Sequence, residues 1–350
     1  MVIGFIKRFF SRKHLRLLLF SIYLLLIIVL LQTGLIDINI IIGYLKNPLF
    51  VFFSIILSFL VLIITVFRWQ IICSRHNVQT KFLNFLEMVC ISNIAGQLLP
   101  GGQISGDLVK GALAGISTKK DTNVVLSAIY IDRFYTVVTL FWLATVLSLF
   151  FYDKIWLSTV TALLLKSIYA VTLILTILFI LFQLRGLSEK LNSFKLFTGY
   201  IKRKFPTTFS NSIKPNFYTA LNNSKFYFLD NIRSKRSGFY LIILSIFCYI
   251  ISALVLVILL SPNDVNFRVM MEVLFSAATT WSVYLVPITP GGIAIGELTF
   301  QHMYVCLNPL TSAGSIAANL FFVHRVIVLF SSTTLFLFAY ASNRAASKPQ

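Results

Sequence analysis

Negative charge is what this sequence has least of. Its 350 residues hold 11 Asp and Glu against 30 Lys and Arg, and charged residues of both signs make up only 12% of the chain. A soluble domain carries about a quarter charged residues, so half of what would wet a surface is missing. Cysteine and histidine are scarce too, at four each. Cys73, Cys90, Cys248 and Cys306 form no C-x-x-C pair and lie mostly in apolar sequence, so they read as small packing residues that imply neither disulfide nor metal. His14, His76, His302 and His324 form no H-E-x-x-H or similar cluster, and no metal or other cofactor is expected. A glycosyltransferase-type D-x-D and a phosphatase-type His/Arg/Lys set are also missing, which leaves no catalytic motif.

What the sequence has is apolar bulk: 58% hydrophobic residues, 34 Phe and a mean hydropathy of +0.87. Runs of 18 or more apolar residues make lipid the solvent. A soluble enzyme, a secreted disulfide scaffold and a free nucleic-acid-binding domain are excluded. The net charge of +19 therefore belongs to basic loops held on the cytoplasmic side against anionic lipid, with no nucleic-acid partner. Near the N-terminus, Lys7, Arg8, Arg12, Lys13 and Arg16 precede an apolar run over 17–36 that lacks a small-x-small cleavage site. It reads as a retained signal anchor.

Hydropathy predicts six spans, at about 17–36, 48–67, 124–151, 160–182, 238–260 and 311–340, and two apolar stretches interrupted by Pro and Gly, at about 83–116 and 270–308. Residues 185–236 form a linker with 11 basic residues and only Glu189 and Asp230, expected as amphipathic helices on the membrane surface. With the N-terminus cytoplasmic and each interrupted stretch returning to its side of entry, 12 basic residues outside the linker face the cytoplasm and three, Lys46, Lys154 and Arg268, face away. That asymmetry orients the chain as a multi-pass membrane protein with both termini on the cytoplasmic side.

The interrupted stretches repeat one another. Pro100-Gly101-Gly102-Gln103-Ile104-Ser105-Gly106-Asp107 and Pro290-Gly291-Gly292-Ile293-Ala294-Ile295-Gly296-Glu297 are both P-G-G-x-x-x-G-[DE], at an offset of 190. Each is followed inside the next apolar span by an arginine, Arg133 at 26 and Arg325 at 28 residues past the acid. One copy enters from the cytoplasm and the other from outside, the pattern of an inverted-topology repeat with unit A over 48–151 and unit B over 238–340 of a single membrane domain.

Pro stops a helix and Gly-Gly opens backbone conformations closed to other residues. The freed N–H and C=O groups cannot face lipid, so each break must line a cavity or be buried in protein. A half-helix starting after it would turn its N-terminal N–H groups toward an anion such as a phosphate. Gly101, Gly102, Gly291 and Gly292 are thus candidate binding positions, unless the two motifs are tight loops in water. A mid-membrane arginine normally faces a cavity or a partner, so Arg133 and Arg325 are candidates for gripping phosphate. Structural pairing, for instance of Arg133 with Asp107 or Glu297, would equally account for them. Lys110, three residues past Asp107, is placed either against a headgroup or in a local ion pair at the cytoplasmic rim. Asp107, Glu297 and Asp132 are expected as counter-charges or proton carriers, with Asp132 at a polar seam because it cannot share a helix face with Arg133. Glu87 and Glu272 are cavity or interface acids, and Arg68-Trp69 an interfacial anchor.

At Asn93…Pro100-Gly101-Gly102…Gly106-Asp107, Asp132-Arg133 and Pro290-Gly291-Gly292…Gly296-Glu297, the chain resembles the flippase-like membrane family named for the transmembrane region of lysylphosphatidylglycerol synthases. The resemblance covers nearly the whole chain. It implies an integral membrane protein that moves lipids or lipid-linked intermediates between leaflets. The synthases carry an aminoacyl-transferase domain after this region, whereas this chain stops at Gln350, so lysylation is not implied. Relatives often have Arg where Lys110 stands, and an acid where Thr136 stands.

The expectation is an all-α polytopic membrane protein with about six full transmembrane helices and two re-entrant hairpins. Its expected partners are membrane lipids with a phosphate headgroup, and its expected activity is their translocation without enzymatic chemistry. The alternatives are a membrane-embedded enzyme or accessory protein of lipid-linked glycan metabolism, and a small-anion or proton-coupled carrier.

Overall fold

The computed structural model describes residues 28–99, 102–118, 122–151, 153, 159–183, 235–260, 266–285, 289, 292–309 and 313–346. Ten helices carry the fold in this part of the chain: α1 Ile38–Leu45, α2 Pro48–Arg75, α3 Phe82–Leu98, α4 Gln103–Thr118, α5 Thr122–Phe150, α6 Thr159–Gln183, α7 Lys235–Leu260, α8 Phe267–Tyr284, α9 Ile295–Leu307 and α10 Ala313–Ala346. No strand occurs among the described residues. The protein is an all-α polytopic membrane protein.

Five of these helices, α2, α5, α6, α7 and α10, are long and apolar enough to cross a membrane, and they match five of the six expected spans. The first span falls largely outside the described residues, as does almost all of the basic linker. On α6, Val160, Leu163, Leu173 and Ile174 are each more than half exposed. An all-round apolar helix of this kind faces lipid.

The interrupted stretches become two helix pairs, α3–α4 and α8–α9. Their arms have 17, 16, 18 and 13 residues. At about 1.5 Å per residue each is shorter than the roughly 30 Å hydrocarbon core of a bilayer. In the first pair, Leu99 is extended and Gly102 has φ +52° just before α4 begins. In the second, Gly292 and Ala294 have φ +67° and +71° just before α9. Gly102 and Gly292 occupy the same position of the repeated motif and adopt the same left-handed backbone. Ala294 carries a side chain there, a conformation that costs about 1–3 kcal/mol and persists only where the surroundings hold it. Pro100, Gly101, Pro290 and Gly291 lie outside the described residues.

The later glycine of each motif has a packing reason. A Cβ on Gly106 would sit 2.3 Å from the backbone oxygen of Ser92 on α3, so the α3–α4 pair closes only around a bare Cα. On Gly296 it would meet the Arg325 guanidinium at 2.3 Å and the Phe321 ring at 2.9 Å. Gly106→Ala is therefore expected to lower stability by about 1–3 kcal/mol through overpacking, measured as thermal unfolding in detergent. Unchanged melting would contradict this close approach.

Helix packing follows a rule of exchange. Taking α2–α5 as one set and α7–α10 as the other, α3 packs on α4 as α8 packs on α9, and α4 on α5 as α9 on α10. Likewise α3 meets α10 as α8 meets α5, and α2 meets α10 as α7 meets α5. The sets join along α2 and α7, where Thr65 lies 3.8 Å from Cys248 and Arg68 bonds Ser245. Such small polar residues let membrane helices approach closely. α1 and α6 stand outside the exchange, against α10 and α5 respectively.

Candidate functional site

A cavity of about 240 Å³ lies between the two sets, lined by residues of α2, α3, α4, α5, α7, α8 and α10. Four cationic residues among those described line it: Arg68, Lys110, Arg133 and Arg325. Among the described residues, Asp132 is the one carboxylate on the lining, and Asp107 and Glu297 stand behind, paired to its cations. Among the described residues, four cations against three carboxylates leave the site with an excess of one positive charge.

The first set supplies most of this charge. Asp132 is 3% exposed and bridges two cations: its Oδ1 accepts from Arg68 Nε at 2.9 Å and its Oδ2 from Lys110 Nζ at 2.8 Å. Arg68 also donates through Nη1 to Ser245 Oγ at 3.1 Å. Lys110 lies 3.7 Å from Asp107 and 4.2 Å over the Trp69 ring. Arg133 grips Asp107 with a two-pronged fork, Nε to Oδ2 and Nη2 to Oδ1 at 2.8 Å, and Nη2 also reaches Gln103 Oε1 at 2.8 Å. The fork geometry is what guanidinium offers a carboxylate. Nη1 of Arg133 has no partner among the described residues, and its side chain is 26% exposed, against 9% for Arg68, 5% for Lys110 and 11% for Arg325.

In the second set, Arg325 Nε lies 2.8 Å from Glu297 Oε1, and Nη2 donates to the backbone oxygen of Gly292 at 2.9 Å. The guanidinium sits over the rings of Tyr284 at 4.8 Å and Phe321 at 5.3 Å. Each repeat thus closes its own arginine on its own acid, across the same pair of helices, and the arginine of the second also holds the break. Arg325→Ala leaves Glu297, with a fully buried side chain, without a counter-charge among the described residues. Arg133→Ala leaves Asp107 its Lys110 neighbour. Arg325→Ala is expected to lower the melting temperature more than Arg133→Ala, and the reverse order would contradict the pairing.

Several expectations need correction. Arg68 is no interfacial anchor: it is 7% exposed and bonded to α5 and α7. The reason is that α2 runs on to Arg75 before Asn77, at φ +54°, closes it with Val78 N–H donating to Cys73 O at 2.9 Å. Arg68 therefore sits about two turns inside the helix. Lys110 is 4% exposed and belongs to the buried network. Asp132 and Arg133 do point to different partners, yet both line the cavity, because about 100° of helix rotation separates them and charges wait in both directions. Of the two places open to Glu87 and Glu272, the interface fits and the cavity does not: Glu87 accepts from Asn343 on α10, and Glu272 from Arg268 and Asn308. Gly102 and Gly292 shape the breaks without lining the cavity. Gly101 and Gly291 lie outside the described residues.

No curated protein and no solved structure matches this chain. Residues 14–332 match the family model of the lysylphosphatidylglycerol synthase TM region, which spans every helix described above except the end of α10. By its sequence over that length, the chain belongs to this family of membrane proteins.

Proposed function

We propose that this protein moves an anionic lipid, or a lipid-linked intermediate, between the leaflets of a bacterial inner membrane. The family is one of lipid-associated membrane proteins, which supports a lipid as cargo. The observation that carries the reading is Arg133: a buried-site guanidinium already oriented by Asp107 and Gln103, with Nη1 uncommitted in a cavity of positive excess. A phosphate accepting from Nη1 makes a charge-assisted bond with a donor that is held in advance.

The volume of about 240 Å³ falls just below the roughly 300–1,000 Å³ of sites for drug-sized ligands. It takes a headgroup, while the acyl chains stay in lipid between the helices. The exchange rule of the packing supports an inverted repeat with the two P-G-G breaks as re-entrant turns, and the short arms of α3–α4 and α8–α9 fit helices that do not span. A rocking motion of one set against the other then exposes the headgroup to alternate sides. Asp107 and Glu297 serve as counter-charges to the two arginines at membrane depth.

Reconstitution tests this directly. In liposomes carrying a labelled anionic phospholipid in one leaflet, the protein is expected to accelerate its appearance in the other. Acceleration of inorganic phosphate or sulfate flux with no lipid movement would replace this reading with a small-anion carrier.

A further inference from the structure

We infer that the headgroup this cavity takes is a phosphate that bears hydroxyl groups and no amine, as in a polyol or sugar phosphate. The inference rests on the phosphate reading above and narrows it.

Charge disfavours an amine in this cavity. An ammonium entering the cavity needs a carboxylate to face or an open aromatic ring. Asp132 is taken by Arg68 and Lys110, Asp107 by Arg133 and Glu297 by Arg325. No other acid among the described residues lines the cavity. One face of each lining ring is in use as well: Arg325 lies over Tyr284 and Phe321, and Tyr249 stacks on Trp281 at 5.4 Å. An aminoacylated headgroup would bring cations to a site that already has one positive charge to spare, and like charges so placed repel.

Unspent hydrogen-bonding groups favour hydroxyls. Ser92 and Asn93 on α3, Ser252 on α7 and the Trp281 indole on α8 line the cavity, and their side chains bond nothing among the described residues. They stand on three helices around the same space as Arg133. Serine and asparagine both give and accept hydrogen bonds, and an indole N–H gives one. That mixture suits hydroxyl groups, which also do both. A bare phosphate, acceptor-rich and small, leaves the accepting side of Asn93 and the two serines idle.

Native mass spectrometry of the whole protein in detergent tests this, with defined lipids added in competition: phosphatidylglycerol, a polyprenyl phosphate sugar, phosphatidic acid, phosphatidylethanolamine and lysylphosphatidylglycerol. The expected result is that one or both hydroxylated amine-free lipids outcompete phosphatidic acid by about 3- to 10-fold for each hydroxyl bond gained, and outcompete both amine-bearing lipids by at least as much. Which of the two wins tells a glycerol headgroup from a sugar. Asn93→Ala and Ser252→Ala are expected to bring the preferred lipid down to the level of phosphatidic acid. Equal or tighter binding of either amine-bearing lipid overturns the inference, as does a hydroxyl preference that survives both substitutions. In those cases phosphate binding itself still depends on Arg133. Binding of every phosphate at the level of Arg133→Ala instead defeats the underlying phosphate reading, and this one with it.

Discussion

Arg133→Ala is expected to cut lipid transport by about 10- to 100-fold while leaving a folded, monodisperse protein. The magnitude follows from losing a hydrogen bond to a charged group, about 1.5–3 kcal/mol, with 1.4 kcal/mol to each factor of ten. The fold tolerates the loss because Asp107 keeps Lys110 at 3.7 Å, and because the Arg133 side chain is the most exposed of the four cationic ones. Arg133→Lys separates charge from geometry. A lysine retains the positive charge but cannot hold Asp107 with two prongs and still offer a third nitrogen to a ligand. It is expected to recover only part of the activity, and full recovery would reduce the role of Arg133 to charge alone. Transport assayed in liposomes, with melting in detergent as the control for folding, checks both variants.

The largest effect on stability is expected at Asp132. Asp132→Ala leaves Arg68 and Lys110, whose side chains are 9% and 5% exposed, without the carboxylate that both depend on. Removing one partner of a buried ion pair costs about 3–5 kcal/mol, because the charges that remain are buried and uncompensated. Lys110 retains only the longer contact to Asp107 and the Trp69 ring, and Arg68 only Ser245. Asp132→Asn keeps an oxygen acceptor and is expected to fall between wild type and alanine. The loss is read as a lower melting temperature and a lower yield of folded protein. An alanine variant that melts with wild type would show that Arg68 and Lys110 find water or other partners, and that Asp132 does not organise the site.

Much of this was legible in the residues, and the parts that were not have physical reasons. The P-G-G pattern at a constant offset located both helix breaks, and Gly102 and Gly292 share a left-handed backbone because that conformation is open to glycine. The trailing arginines were legible as a pair, since a lone guanidinium in lipid must find something. That each closes on the acid of its own repeat was one option among several, because sequence spacing does not fix which helices touch. A hydropathy run ends wherever a charge appears, which places Arg68 at the interface, whereas the helix itself continues to Arg75. The burial of Arg68 depends on partners 64 and 177 residues away on α5 and α7. The only local hint was Asp132, a membrane-depth acid adjacent to Arg133 that needed a cation of its own. The glycines before the two acids looked equivalent, yet Gly106 makes room for a backbone and Gly296 for an arginine. Pattern marked the positions; packing across the two sets assigned their uses.

The most direct test of the account is mass spectrometry of the lipids that stay with the purified protein, wild type beside Arg133→Ala. The account predicts a phosphate-bearing anionic lipid enriched over the bulk membrane in wild type, and its return to bulk proportion in the variant. Enrichment that is identical in both proteins, or bulk lipid alone on wild type, would contradict a headgroup held by Arg133.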